Sequence, residues 1–140
     1  MLVRQARFSD IPGLLAIEEA SHEDPWGRSA FSKAMDPAFT HSHLWVSCVV
    51  GTSRILGYIC FQYILDEIYV VNLTTSRDMR RRGVASRLLG LCLAWGKRHG
   101  ATRAILDVRE GNIPARRLYE KFGFRQAGAR KGSLLLEISL

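Results

Sequence analysis

Between residues 68 and 95 the apolar period of the chain changes from that of a strand to that of a helix, and the residues at the change are basic and carry a glycine. Ile68-Tyr69-Val70-Val71-Asn72-Leu73-Thr74-Thr75 is rich in β-branched and aromatic side chains, which fit a pleated, partly buried strand. Val84, Ala85, Leu88, Leu89, Cys92 and Trp95 then recur at three- and four-residue intervals, one apolar face of a helix that Gly100 can end. Arg80-Arg81-Arg82-Gly83-Val84-Ala85 is therefore a strand-to-helix turn. The first amides of such a helix have no intrahelical partner and carry the positive end of its dipole, so an anion is favoured there. Gly83 permits close approach of the backbone, and three guanidinium forks match phosphate oxygens. The turn lacks the Gly-Lys-Ser/Thr ending of a P-loop and the spaced glycines of a dinucleotide fingerprint. Taken alone, it also suits a solvated basic loop before an ordinary helix.

With 140 residues and 47% hydrophobic content, the chain suits a single domain spanning 1–140. No window approaches the ~18 uninterrupted apolar residues of a membrane span, and the N-terminus has no apolar leader-like run, so a cytoplasmic protein without a membrane partner is expected. Cys48, Cys60 and Cys92 lie in apolar surroundings without paired spacing and read as reduced packing residues. His41 and His43 lack a third ligand motif, read as surface histidines, and leave no metal site.

The net charge of +7 is unevenly placed. Residues 1–76 hold five Lys/Arg against eight Asp/Glu, and residues 77–140 hold fifteen against five, so the halves carry about −3 and +10. Such a division points to a polyanionic ligand on one side and a cationic partner on the other. A basic surface that only aids solubility gives the same count. Nucleic acid is the weaker partner, because the three arginines fall in one turn without interleaved aromatic platforms.

The remaining periodicities predict a strand over Val3 to Phe8 and a helix from Ser9-Asp10-Ile11-Pro12 through Ala20. A short helix over Ser29 to Met35 follows, then strands over Leu44 to Val50 and Ile55 to Leu65 turning at Gly51-Thr52-Ser53-Arg54. After the Arg turn and its helix come a strand over Ala104 to Val108, a helix capped by Asn112 with Pro114 in its first turn, and two strands near Phe124 to Ala129 and Leu134 to Ser139. The order describes an α/β (α+β) fold, a mixed, mainly antiparallel sheet of about seven strands flanked by about four helices.

Three segments in this order resemble the GNAT N-acetyltransferases, in particular the bacterial ribosomal-protein-alanine (RimI) type. Arg80-Arg81-Arg82-Gly83-Val84-Ala85 is similar to the family's Gln/Arg-x-x-Gly-x-Gly/Ala signature, Leu106-Asp107-Val108-Arg109-Glu110-Gly111-Asn112 to its fifth-strand segment, and Arg117-Leu118-Tyr119-Glu120-Lys121-Phe122-Gly123-Phe124 to its Leu-Tyr-x-x-x-Gly-Phe helix end. The resemblance implies acetyl-CoA as donor substrate, its pantetheine arm along the backbone of Leu73, Thr74 and Thr75, and its pyrophosphate on the turn from Arg80, Arg81 and Arg82 through Gly83, Val84, Ala85 and Ser86. It places Asn112 at the cofactor, Tyr119 near the sulfur as acid, and Asp107 where relatives carry a glutamate base, one methylene longer. Asp66, Glu67 and Glu110 are alternate bases, and Asp107 could equally be a strand carboxylate paired with Arg103 or Arg109. By this resemblance the acceptor is a protein N-terminus, such as that of a ribosomal protein, with a small amine or lysine as the rival, the enzyme acting as a monomer or homodimer. A CoA-binding module without catalysis is the reading from another class. Two departures concern the acceptor: Asp24-Pro25-Trp26 has Asp in place of an aromatic residue, and the hairpin Arg125 to Leu140 is shorter than in those relatives and lacks their Tyr-Tyr and acidic loop.

Overall fold

The computed structural model describes residues 1–140. Seven strands form one sheet: β1 (Leu2–Gln5), β2 (Ser42–Cys48), β3 (Ile55–Ile64), β4 (Glu67–Thr75), β5 (Arg103–Arg109), β6 (Arg125–Arg130) and β7 (Ser133–Ser139), in the spatial order β1-β2-β3-β4-β5-β7-β6. Every neighbouring pair is antiparallel except β4 and β5. Four helices, α1 (Ile11–Ser21), α2 (Arg28–Met35), α3 (Val84–Arg98) and α4 (Ile113–Phe122), complete the mixed architecture expected from the sequence. None is long and apolar enough to cross a membrane.

The helices cover both faces of the sheet, and the strand patterns follow from that. On one face Ile11, Leu14 and Ile17 of α1 and Phe31 of α2 pack on Leu44, Val46, Tyr58 and Cys60. On the other, Leu88, Leu89 and Cys92 of α3 and Tyr119 of α4 pack on Ile59, Phe61, Ile68, Val70, Ala104 and Leu106. β3 lies between the two cores, which is why Ile55 to Phe61 reads as an apolar run without alternation. The three cysteines are buried and unpaired.

Two local readings change. The first strand stops at Gln5 because Phe8–Asp10 form a 3-10 turn, in which the Asp10 carboxylate accepts the Arg7 N–H at 2.7 Å and holds the Arg4 guanidinium at 2.7 and 2.9 Å. His43 is not a surface histidine. It is half-buried, stacked on Phe61 with centroids 4.9 Å apart and 4.7 Å from Trp95, and burial, with His99 and His41 nearby, pulls its pKa down. His41 is exposed as expected.

The feature that shapes the site is a register change in β4. Cys60 opposes Asn72 while Phe61 opposes Val70, so Val71 is an extra, bulged residue. The parallel pairing of β4 with β5 covers Glu67 to Val70 against Arg103 to Leu106 and stops there. Beyond Val70 the β5-facing edge of β4 has no strand partner, and a cleft opens between β4 and α4. Its floor is fixed by Gly57: a Cβ at that position would lie 2.8 Å from the Thr74 carbonyl oxygen and 2.8 Å from Val84 Cγ1. Gly57→Ala is expected to cost on the order of 1–3 kcal/mol because the obstructing atom is backbone, and Leu88→Ala about 2–5 kcal/mol by leaving a cavity under α3. Urea unfolding checks both, and an unchanged midpoint in Gly57→Ala would contradict the close approach.

Candidate functional site

The cleft holds about 790 Å³ and is lined on one side by Leu73, Thr74 and Thr75 of β4 and by the turn into α3, on the other by α4. The turn is built to present amides. Arg81 has φ 65° and Gly83 φ 79°, two left-handed residues separated by one, and Gly83 serves as N-cap of α3 with no capping side chain. Successive amides in such a turn form an anion-binding concavity at the positive end of α3. Arg80, Arg81, Gly83, Val84, Ala85 and Ser86 all line the cleft, and Arg117 and Lys121 of α4 add positive charge across it. No carboxylate lines this cleft, so a polyphosphate meets only donors and cations there. Arg82 is exposed and does not line the cleft.

Asn112 has two functions. Its Oδ1 accepts the Ala115 N–H at 3.3 Å as cap of α4, and the same residue lines both this cleft and a second cavity. Tyr119 also reaches the cleft from α4, its ring edge-on to Phe124 with centroids 5.7 Å apart, and burial pushes its hydroxyl pKa up to about 12. A phenol held neutral through the physiological range is a proton donor.

The second cavity, of about 390 Å³, lies beside the bulge and is lined by the C-terminal end of α1, the loop to α2, Val71, Asn72, Arg109 and Asn112. Its side chains include Glu18, Glu23 and Asp24, so the two spaces differ in charge, as the uneven halves of the sequence led one to expect. Ser21, His22 and Asn112 line both, which marks where they meet. Trp26 lines the acidic cavity; its N–H donates to Glu18 Oε2 at 2.9 Å and its ring packs on Phe31 at 5.3 Å, so the departure at Asp24 sits on a fixed loop.

Sequence reasoning missed the polar network behind this junction. Glu18 is 2% exposed, yet three donors converge on its carboxylate: Tyr58 Oη at 2.5 Å and Asn72 Nδ2 at 2.9 Å on Oε1, and the Trp26 amide on Oε2. Thr74 Oγ1 donates to Asn72 Oδ1 at 2.8 Å and lies 2.9 Å from His22 Nε2. Burial, reinforced by the bond to Glu18, drives the Tyr58 pKa far upward, so that hydroxyl remains a donor. A run of polar residues near a helix end gives no sign of partners 40 to 54 positions away. Only the buried face shared by Glu18 with Ile11, Leu14 and Ile17 was available as a signal.

Asp107 is not brought into either cavity. It is exposed on β5, opposite Leu135, on the face away from buried Leu106 and Val108, and it makes no ion pair; Arg103 pairs instead with Glu67 and Glu137. Asp66 and Glu67 sit at the far end of β4, Asp66 accepting from Thr102. Glu110 is exposed in the loop before α4 and lines neither space.

The buried acids also set an alkaline limit to stability. Tyr119 and Cys60 both titrate near 12 in the fold, raised by burial, and Tyr58 and Cys92 are raised as well. Groups raised above their unfolded values of about 8.5 for thiol and 10 for phenol contribute stability that is complete below those values and lost as pH climbs toward about 12. The melting temperature is therefore expected to hold up to about pH 8.5 and then fall steadily; calorimetry showing a flat value through pH 11 would contradict the burial of these groups.

Comparison with known proteins gives a family and a shared fold. The acetyltransferase (GNAT) family model matches residues 11–124. The ribosomal protein bS18-alanine N-acetyltransferase of Escherichia coli is 26% identical over 123 residues, covering 88% of this chain and 80% of the relative. That of Haemophilus influenzae is 28% identical over 130 residues, covering 93% and 85%. The crystal structure of the E. coli ribosomal-protein-S18-alanine N-acetyltransferase shares the fold with a TM-score of 0.86 at 22% identity, over 99% of this chain and 92% of that one. The PaiA N-acetyltransferase of Thermoplasma acidophilum, solved in complex with coenzyme A, does so with a TM-score of 0.88 at 13% identity, over 99% and 98%. With the family model covering most of the chain, this protein belongs to the GNAT family of acetyltransferases and is an acyltransferase.

Proposed function

We propose that the protein transfers an acetyl group from acetyl-CoA directly to a primary amine in a ternary complex, the amine being the N-terminal α-amino group of a protein. The observation that carries this reading is the meeting of a cationic cleft and an acidic cavity at one point on the unpaired edge of β4. A CoA pyrophosphate suits the amides and arginines of the α3 turn, and a pantetheine arm, with its two amides, suits the free edge at Leu73 to Thr75 as an added strand. The thioester would then lie between the cavities, its carbonyl oxygen polarised by edge amides of β4.

The amine must be neutral when it attacks, so its proton has to leave to a base. The N–C bond forms, the carbonyl electrons move to oxygen, and the tetrahedral intermediate collapses by breaking C–S. Tyr119 donates a proton to the departing thiolate. Asp107, which the family resemblance assigns to the base role, lines neither cavity and reaches the amine only across bridging water. The negative lining of the second cavity attracts an amine-bearing acceptor, and the bS18-alanine N-acetyltransferases among the relatives support a protein N-terminus. A small amine or lysine side chain is the second reading. It is favoured by the absence of any residue of the β6–β7 hairpin from the acceptor cavity.

A thiol-release assay with acetyl-CoA against a panel of peptides and amines, followed by mass spectrometry, tests the reading; CoA binding without turnover on any acceptor would sink it. Tyr119→Phe is expected to lower kcat by about 10²-fold with CoA affinity nearly unchanged, and an unaltered rate removes Tyr119 from the acid role. Arg81→Ala is expected to raise the KM for acetyl-CoA about tenfold while kcat changes little. An unaltered pH–rate profile in Asp107→Asn removes Asp107 from the proton path.

A further inference from the structure

Resting on the acetyl-transfer reading, we infer that His22 is the proton acceptor for the incoming amine, through its Nδ1 atom, and that Thr74, Asn72 and Glu18 are positioning residues that fix the ring in the tautomer this requires. His22 stands at the junction of the two cavities, its side chain 41% exposed to them and to solvent. That is where an amine entering from the acidic side meets a thioester held on the cationic side.

The tautomer follows from donor and acceptor counting. Glu18 has only acceptors to offer, so the Asn72 group 2.9 Å from it is the NH₂, and Asn72 turns its Oδ1 toward Thr74. That oxygen accepts only, so the single Thr74 hydroxyl proton is spent on it. Thr74 Oγ1 can then only accept from His22, and the Nε2 atom 2.9 Å away must carry the hydrogen. The neutral ring is left with its lone pair on Nδ1. When Nδ1 takes a proton from the amine, the ring that results has Nε2 3.6 Å from a Glu18 oxygen.

On the acidic side His22 shares the wall with Glu18 on α1, Glu23 and Asp24 on the following loop, and Arg109 at the end of β5; on the cationic side it shares it with Arg80 and Arg81 of the turn into α3 and Arg117 and Lys121 of α4. In the full step the amine nitrogen bonds to the acyl carbon, its proton passes to Nδ1, the C–S bond breaks, and Tyr119 protonates the sulfur. The proton on His22 then returns to the tyrosinate through solvent, so one amine and one acetyl-CoA give one amide and one free thiol.

His22→Gln keeps a side-chain N–H for Thr74 but has no basic nitrogen. With the acceptor that turns over, His22→Gln is expected to lower kcat by about 10²-fold, leave CoA affinity by calorimetry unchanged, and lose the acidic limb of the pH–rate profile. In the wild-type protein, long-range ¹H–¹⁵N spectra are expected to show the neutral His22 ring protonated on Nε2, and Thr74→Val to release it into a mixture of tautomers. A His22→Gln enzyme that keeps its rate and its acidic limb, or a ring protonated on Nδ1, would overturn the assignment while the acetyl-transfer reading stands. A wild-type protein that acetylates no acceptor overturns both.

Discussion

The site depends on a single termination: the parallel pairing of β4 with β5 ends at Val70 and Leu106. Hydrogen bonding across a sheet is ordinarily continuous, because an unpaired backbone group away from water costs free energy. Here the bulge at Val71 ends the pairing and leaves an edge in the middle of a seven-stranded sheet. An internal edge is protected from other chains in a way an outer edge is not, since α3 and α4 stand on either side of it. What can reach it must be narrow and extended, and must carry its own amides.

The charge arrangement follows from where the chain crosses that gap. After β4 the chain turns at Arg80 to Gly83 into α3, and after β5 it turns at Asn112 into α4, so both crossovers deliver helix N-termini to the same opening. The four cations that line the opening, Arg80, Arg81, Arg117 and Lys121, all come from the second half of the sequence because that half supplies both helices. The acidic wall comes from α1 and its following loop, which approach from the opposite face of the sheet. The +10 and −3 halves of the chain are thus a projection of two layers onto the sequence.

Much of this is legible in the sequence. Strand and helix periods placed all eleven elements, because α3 has an apolar stripe of regular spacing and β3 an apolar run bounded by turns. The Arg turn was legible because its chemistry is local, although Arg82 points out of the cleft that Arg80 and Arg81 enter. What stayed hidden was long-range. Glu18 reads as one of two glutamates on a helix surface, and only the fold brings Tyr58, Asn72 and the Trp26 amide onto it. His43 reads as a surface histidine, yet it is half-buried against Phe61 and Trp95. Asp107 shows the opposite case. Its position in a family pattern suggested proximity; alternation along β5 gives it the face of Arg109, which lines the acidic cavity, while Asp107 itself lines neither cavity.

β3 has a further consequence. Ile59 and Phe61 belong to the core under α3, and Tyr58 and Cys60 to the core under α1 and α2. The two cores therefore share one strand, and displacing β3 would open both. A strand placed this way couples the two layers: amides at the middle of β3 are the ones most protected from exchange with solvent, and a change in the packing under α3 is felt by residues under α1 and α2.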